Sequence, residues 1–350
     1  MTASSADRQH KRERLARLRD AQGAPLLLAS HEAVSWYLDG VRTHVSLAGP
    51  PVLAVRVEPE GDRLFVADNE ADRLIAEELL PEDAERVVRV PWWIPPAVAA
   101  ADATAGESAI GEAEVAAELR AARASLLPAE IARYRALGHE TADVLTDALA
   151  DAAPIDTEQN TASVVAGALV ARGIDPLVVL VAGAERVGHR HPLPTDAALG
   201  ERAMVVVCGR RHGLIANATR WVGAAVDETP ILEVERAFLD ASVPGARLDE
   251  VFAAGNAGYA RAGFDAEEWT RHHQGGPTGY AGRDPRATAS TGDVLAENQA
   301  FAWNPTAPGV KVEDTMLRTG EGWEVLTVDP RWPSVEHAGL RRPVARPYGS

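Results

Sequence analysis

The sequence is poor in cysteine: a single one, Cys208, stands among 350 residues. One thiol forms no internal disulfide and builds no thiolate metal cage, which fits a reducing, cytoplasmic setting. Long apolar runs are missing too. No stretch approaches the ~20 consecutive apolar residues of a membrane span, so a soluble chain with no membrane partner is expected. The polar amino terminus carries the basic residues His10, Lys11, Arg12, Arg14, Arg17 and Arg19 with no apolar segment behind them, and no export signal is read there. Positive charge is scarce overall. With 35 Lys and Arg against 51 Asp and Glu the formal net charge is −16, which repels nucleic-acid phosphates and anionic lipid. The composition, 46% hydrophobic and 25% charged, is near the globular average. The length exceeds what one core usually serves and predicts two domains.

Along the first third, short apolar runs at 25–30, 51–57 and 62–66 read as strands, while 72–80 and 112–127 carry helical spacing. Between them lies 90–96 (VPWWIPP). Its prolines rule out a continuing helix, and Trp92 and Trp93 are expected to seal packing or a subunit contact. Pro128 opens a long helix to about Asp151, a second runs from Thr157 to Arg172 with Gly173 as its left-handed cap, and 176–182 is a buried strand. Next come strands at 204–208 and 214–221 flanking a polar turn at 209–213, then helices at 229–241 and 248–262. The region 269–327 is strand and loop. The order hints at a duplicated helix-helix-sheet layout.

Four segments in the second half stand in a telling order: 183–195 (GAERVGHRHPLPT), 204–220 (MVVVCGRRHGLIANATR), 272–280 (HHQGGPTGY) and 301–319 (FAWNPTAPGVKVEDTMLRT). Together they resemble the signature segments of the pita-bread family that includes creatinase, prolidase, aminopeptidase P and methionine aminopeptidase. The resemblance implies an α/β (α+β) chain of two domains, a small creatinase-type amino-terminal domain over 1–125 and a pita-bread domain over 126–350. In that family two aspartates, a histidine and two glutamates bind a pair of divalent metals that activate water. Here the second aspartate falls on Asn217, ahead of Thr219 and Arg220, and the first falls on Cys208 or Val206 depending on the anchor. The histidine position holds Gly276, the first glutamate is Asn304 before Pro305, and only the second survives, as Glu313. One carboxylate among neutral amides leaves a pair of divalent ions uncompensated, so no dinuclear site and no cofactor are expected. His272 and His273 stand as displaced ligands for a single divalent metal.

Creatinase is the family's precedent for hydrolysis without metal, and His191 matches its catalytic histidine by position. The resemblance therefore implies His191 as acid/base with Glu313 as its partner, although Glu313 beside Lys311 also reads as one half of a structural ion pair; residue chemistry adds His272, His273, Arg283, Asn304, Lys311, Arg220, Asn217 and Cys208 as lining the pocket. An imidazole near neutral pKa takes a proton from water and returns it to a leaving nitrogen. The leading expectation is a metal-independent, cytoplasmic, homodimeric hydrolase acting on a C–N bond of a small amino-acid-derived or amidine-type substrate. The alternatives are a Xaa-Pro aminopeptidase with altered ligands that takes short peptides, a non-catalytic peptide-binding pseudoenzyme, and a lyase or rearrangement enzyme. A thiol mechanism through Cys208 needs a nearby imidazole to activate it.

Overall fold

A computed structural model describes residues 3–103 and 108–349, so the part of the expected amino-terminal domain at 104–107 lies outside the described residues. The chain divides into two compact units, one of residues 1–133 with 212–214, the other of 134–211 with 215–350.

The first unit begins with helix α1 (Ser5–Gln22), followed by β1 (Leu26–Leu28), α2 (His31–Tyr37), β2 (Leu53–Val57), β3 (Arg63–Ala67) and α3 (Asp68–Glu77). It continues through α4 (Pro81–Ala84), β4 (Val87–Val90), α5 (Pro96–Ala101), β5 (Ile110–Gly111) and α6 (Ala116–Ala124). The five strands form one sheet in the order β4-β3-β2-β1-β5. Central β2 is buried along its whole length, as its near-continuous apolar run requires. The basic amino-terminal run is a helix capped by Ser4. Arg8, wholly buried, reaches Asp62 at 2.9 Å and Asp83 at 3.0 Å, while Lys11 pairs with Asp39 at 2.6 Å and Glu130 at 2.7 Å. Part of the run is thus an internal counter-ion set, which a periodicity argument built on apolar residues misses. Trp92 and Trp93 do not seal the packing of this unit. They stand 71% and 67% exposed, edge to face at 5.8 Å, beside a groove of about 460 Å³.

Helix α7 (Pro128–Ala148) leads into the second unit, which continues with α8 (Glu158–Ala171), β6 (Asp175–Ala182), β7 (Arg202–Arg211) and β8 (Leu214–Gly223). Thr157 caps α8 through the Asn160 amide, and Gly173 has the left-handed φ of 68° expected of it. The three strands pair in the order β6-β7-β8. The turn between β7 and β8 is tighter than expected. Strand β7 extends through Arg211, leaving His212 and Gly213, both at positive φ (50° and 80°), which is the two-residue turn that suits the strand twist.

A second helix pair, α9 (Thr229–Ala241) and α10 (Leu248–Arg261), precedes β9 (Gly275–Thr278), β10 (Gln299–Trp303), β11 (Thr306–Ala307), β12 (Val310–Lys311), β13 (Met316–Thr319) and β14 (Gly322–Val325). The strands β15 (Ser334–His337) and β16 (Leu340–Pro343) end the chain. The main sheet here runs β14-β13-β10-β9. A core of Phe238, Tyr259, Phe301, Trp303 and their aliphatic neighbours holds α9 and α10 on it, with the Phe238 and Trp303 rings stacked at 4.5 Å. Each such side chain contributes roughly 1.5–3 kcal/mol of burial. The helix-helix-sheet layout therefore occurs twice. The two sheets join where Ala218 bridges Asp314 and the Ile215 amide donates to the Gly279 carbonyl at 2.8 Å.

Candidate active site

Alternation along β6, β7 and β8 sends Val178, Leu180, Val206, Cys208 and Asn217 to one side. They wall a cavity of about 410 Å³ completed by His191, His273, Gly282, Arg283, Arg286, Asn304, Lys311 and Glu313. Both positions on which the first aspartate could fall, Val206 and Cys208, line it, and neither supplies a carboxylate.

Glu313 lies at the centre of the charge. Its Oε1 accepts from Arg283 Nη2 at 2.6 Å, and its Oε2 meets Lys311 Nζ at 2.9 Å and accepts from Thr219 Oγ1 at 3.0 Å. Arg283 also donates through Nη1 to Asn217 Oδ1 at 3.1 Å, so one guanidinium spans two of the family's metal-ligand positions. Burial alone would raise the Glu313 pKa, but Lys311 and Arg283 outweigh it and hold the carboxyl well below the usual range. Asn217 is held in turn by Thr278 Oγ1 at 3.1 Å. The Asn304 amide N–H donates to the Gln274 carbonyl at 3.0 Å, while its side-chain Oδ1 is buried without a partner.

The histidines form the other wall. His191 and His272 approach Nε2 to Nε2 at 3.1 Å, although 81 residues separate them. The rings of His272 and His273 stack at 4.4 Å, and those of His191 and His273 at 5.6 Å. Burial, then Lys311 and His273, push the His272 pKa down to about 2. Burial, then Arg283 and Arg286, push His273 down to about 3. His191 is displaced the same way, by burial and by Lys311 and Arg286, with Glu313 opposing. The three rings are therefore neutral near pH 7. The loop at 183–195 that presents His191 is pinned by residues the motif reading passed over. Buried Glu158 accepts from the Gly183 amide at 2.7 Å and the Thr195 amide at 2.9 Å, and Arg190 ties the loop to Glu268 and to Thr306. A polar residue in the first turn of α8, otherwise at a buried position, was the available signal.

Two expectations need correction. Glu313 is not hydrogen-bonded to His191; its oxygens are taken by Arg283, Lys311 and Thr219, and the direct partner of His191 is His272. Arg220 does not line the cavity. It lies 2% exposed on the other side of the strand, donating to Asp314 at 2.9 Å and to the Thr219 carbonyl at 2.7 Å. Gly275 and Gly276, at positive φ (95° and 135°), are required by packing: a Cβ on Gly275 would sit 2.1 Å from the Ala302 carbonyl oxygen of β10, and one on Gly276 3.0 Å from the Ala287 amide nitrogen and the Pro285 carbonyl oxygen. Cys208 lines the wall, but burial and Glu313 push its thiol up to about 12, far from a thiolate nucleophile.

The residues present do not fit the two-metal centre that the fold implies. The one carboxylate is already neutralised by two fixed cations, and Asn217 is occupied by Arg283. His191, His272 and His273 bring nitrogens within 4.8 Å of one another, which is ligand spacing, yet Lys311, Arg283 and Arg286 already oppose a single positive charge on these rings. A divalent ion there meets the same field with twice the charge.

No protein-family model matches the sequence, and no curated protein matches it either. Solved structures do. The dipeptidase PepE of Mycobacterium ulcerans superposes with a TM-score of 0.75 at 19% identity, covering 99% of this chain and 100% of that one. The prolidase of Pyrococcus horikoshii gives 0.74 at 18%, covering 92% and 99%. A Xaa-Pro dipeptidase from Bacillus anthracis gives 0.72 at 16%, covering 92% and 98%. At these identities the likeness establishes architecture over nearly the whole length: this chain has the pita-bread fold of prolidases and Xaa-Pro dipeptidases.

Proposed function

We propose that the protein is a hydrolase that works without the dinuclear metal centre, cleaving a C–N bond of a small amino-acid-derived or amidine-type substrate by histidine acid/base chemistry. The observation that supports it is the replacement of the metal-ligand set by a linked polar cluster, Asn217–Arg283–Glu313–Lys311, facing three neutral imidazoles. A fold that had decayed into a passive binder would be expected to carry inert filler at these positions. Here the imidazoles are strongly perturbed and share a cavity with oriented cations, the arrangement expected of a reactive site.

In this reading neutral His191 accepts a proton from water as the water oxygen bonds to the substrate carbon. The electron pair of the C=O or C=N bond moves to the heteroatom, next to Arg283 and Lys311, which stabilise the developing negative charge. Collapse breaks the C–N bond, and the proton on His191 passes to the departing nitrogen. His272, in contact with the His191 ring, orients it. The reading also takes the chain as a cytoplasmic homodimer; the exposed Trp92 and Trp93 support a subunit contact, which light scattering tests.

The decisive experiment is elemental analysis of protein purified without chelator or affinity metal, paired with turnover of a panel of N-acyl and N-carbamoyl amino acids, guanidino compounds and Xaa-Pro dipeptides with and without manganese. Chelator-insensitive cleavage that is lost in His191→Gln supports the reading. About two ions per chain with manganese-stimulated dipeptide cleavage overturns it.

A further inference from the structure

The whole chain carries a formal charge of −16, yet the ionised groups lining the cavity are Arg283, Arg286 and Lys311 against Glu313 alone, a local balance of +2. The imidazoles beside them are neutral and leave that balance unchanged. We propose that the substrate is a small carboxylate anion, a carboxylate joined to an amide-type C–N bond, rather than a cationic amidine or a peptide presenting a free ammonium. The inference rests on the hydrolase reading above and names the substrate class of that same site.

Two features carry it. Arg286 is exposed at the cavity wall, and its guanidinium makes no hydrogen bond or ion pair among the described residues; a planar fork left open in this way matches a carboxylate in two hydrogen bonds. Lys311, with its side chain 4% exposed, has Glu313 as its ion-pair partner, and an ammonium has three donors to place. A cationic ligand would instead add to an uncompensated positive charge in a partly desolvated site, where like charges are costly.

The anion claim is tested without an activity assay by titration calorimetry with three probes of similar length: succinate, its uncharged analogue succinamide, and the cation agmatine. Succinate is expected to bind at millimolar concentration or better, to weaken as sodium chloride is added, and to lose about tenfold or more in Arg286→Gln. Arg286 is exposed, so the variant is expected to fold, and circular dichroism checks that it does. Succinamide and agmatine are expected not to bind. Agmatine binding as tightly as succinate, no succinate binding, or an unchanged affinity in Arg286→Gln each overturns the proposal. His191→Gln separates the two readings: it is expected to keep succinate affinity within a few-fold while abolishing turnover of the amide-bearing carboxylates in the panel. Succinate binding with His191-independent turnover leaves the anion site standing and removes the acid/base role.

Discussion

Glu313 and Asp314 are neighbours on one extended segment and point to opposite sides of it, and their surroundings teach opposite lessons. Asp314 accepts from Arg220 at 2.9 Å, Thr327 Oγ1 at 2.7 Å and Arg342 at 2.9 Å. Arg342 in turn grips Glu235 at 2.6 and 2.8 Å. Two carboxylates face two guanidiniums there, all buried, and the charge closes on itself. On the other side Glu313 stands alone among three cations around an open cavity. A closed network of buried charge holds a fold together, whereas an unbalanced one facing a cavity is completed by a ligand.

The largest expected effect tests this contrast through activity. His191→Gln is expected to lower kcat on a turned-over substrate by about 10²–10⁴-fold, the range of a positioned proton-transfer group, whereas Cys208→Ser stays within a few-fold because its thiol is not ionised. Stability then separates the two networks. Arg342→Met leaves Glu235 and half of Asp314 buried without their cation and is expected to cost about 3–5 kcal/mol in urea denaturation. Lys311→Met removes one of three cations while Arg283 still pairs with Glu313, and is expected to cost less than about 1.5 kcal/mol. Equal costs would mean that the two networks hold the fold equally.

A third expectation concerns acid. The folded-state pKa values of His272 and His273 are depressed to about 2 and about 3, so below the unfolded value near ~6.5 the unfolded chain binds protons that the folded chain refuses. Their stability contribution is complete above that value and is lost as pH falls toward the folded values. The slope reaches up to about 1.4 kcal/mol per pH unit for each ring. Denaturation curves of a His272→Asn/His273→Asn variant should show a shallower loss between those limits. The smallest expected effect is none at all: chelator or added manganese should leave the melting temperature unchanged, and a large manganese-induced rise would show that the cation cluster admits a metal.

Much of this was legible in the chain. Apolar alternation at 204–208 and 214–221 marked the paired strands, the proline and glycine punctuation bounded α7 and α8, and the four ordered segments located the cavity. Helix α1 was not legible, because its buried positions include Asp7, Arg8 and Lys11 and patterns of apolar residues do not register charges buried in pairs.

By itself, then, the sequence determined the strand faces, the helix limits and the loss of four of the five metal-binding side chains, since these depend on residue identity and local periodicity. Only the tertiary structure decided that Arg283 spans Asn217 and Glu313, that His191 meets His272 and His273, and that Arg220 serves the closed network behind the cavity. The reason is physical. Alternation states which way a side chain leaves its strand, whereas the partner it meets is set by the packing of segments some 30 to 90 residues apart, and charge balance exists only once those segments have come together.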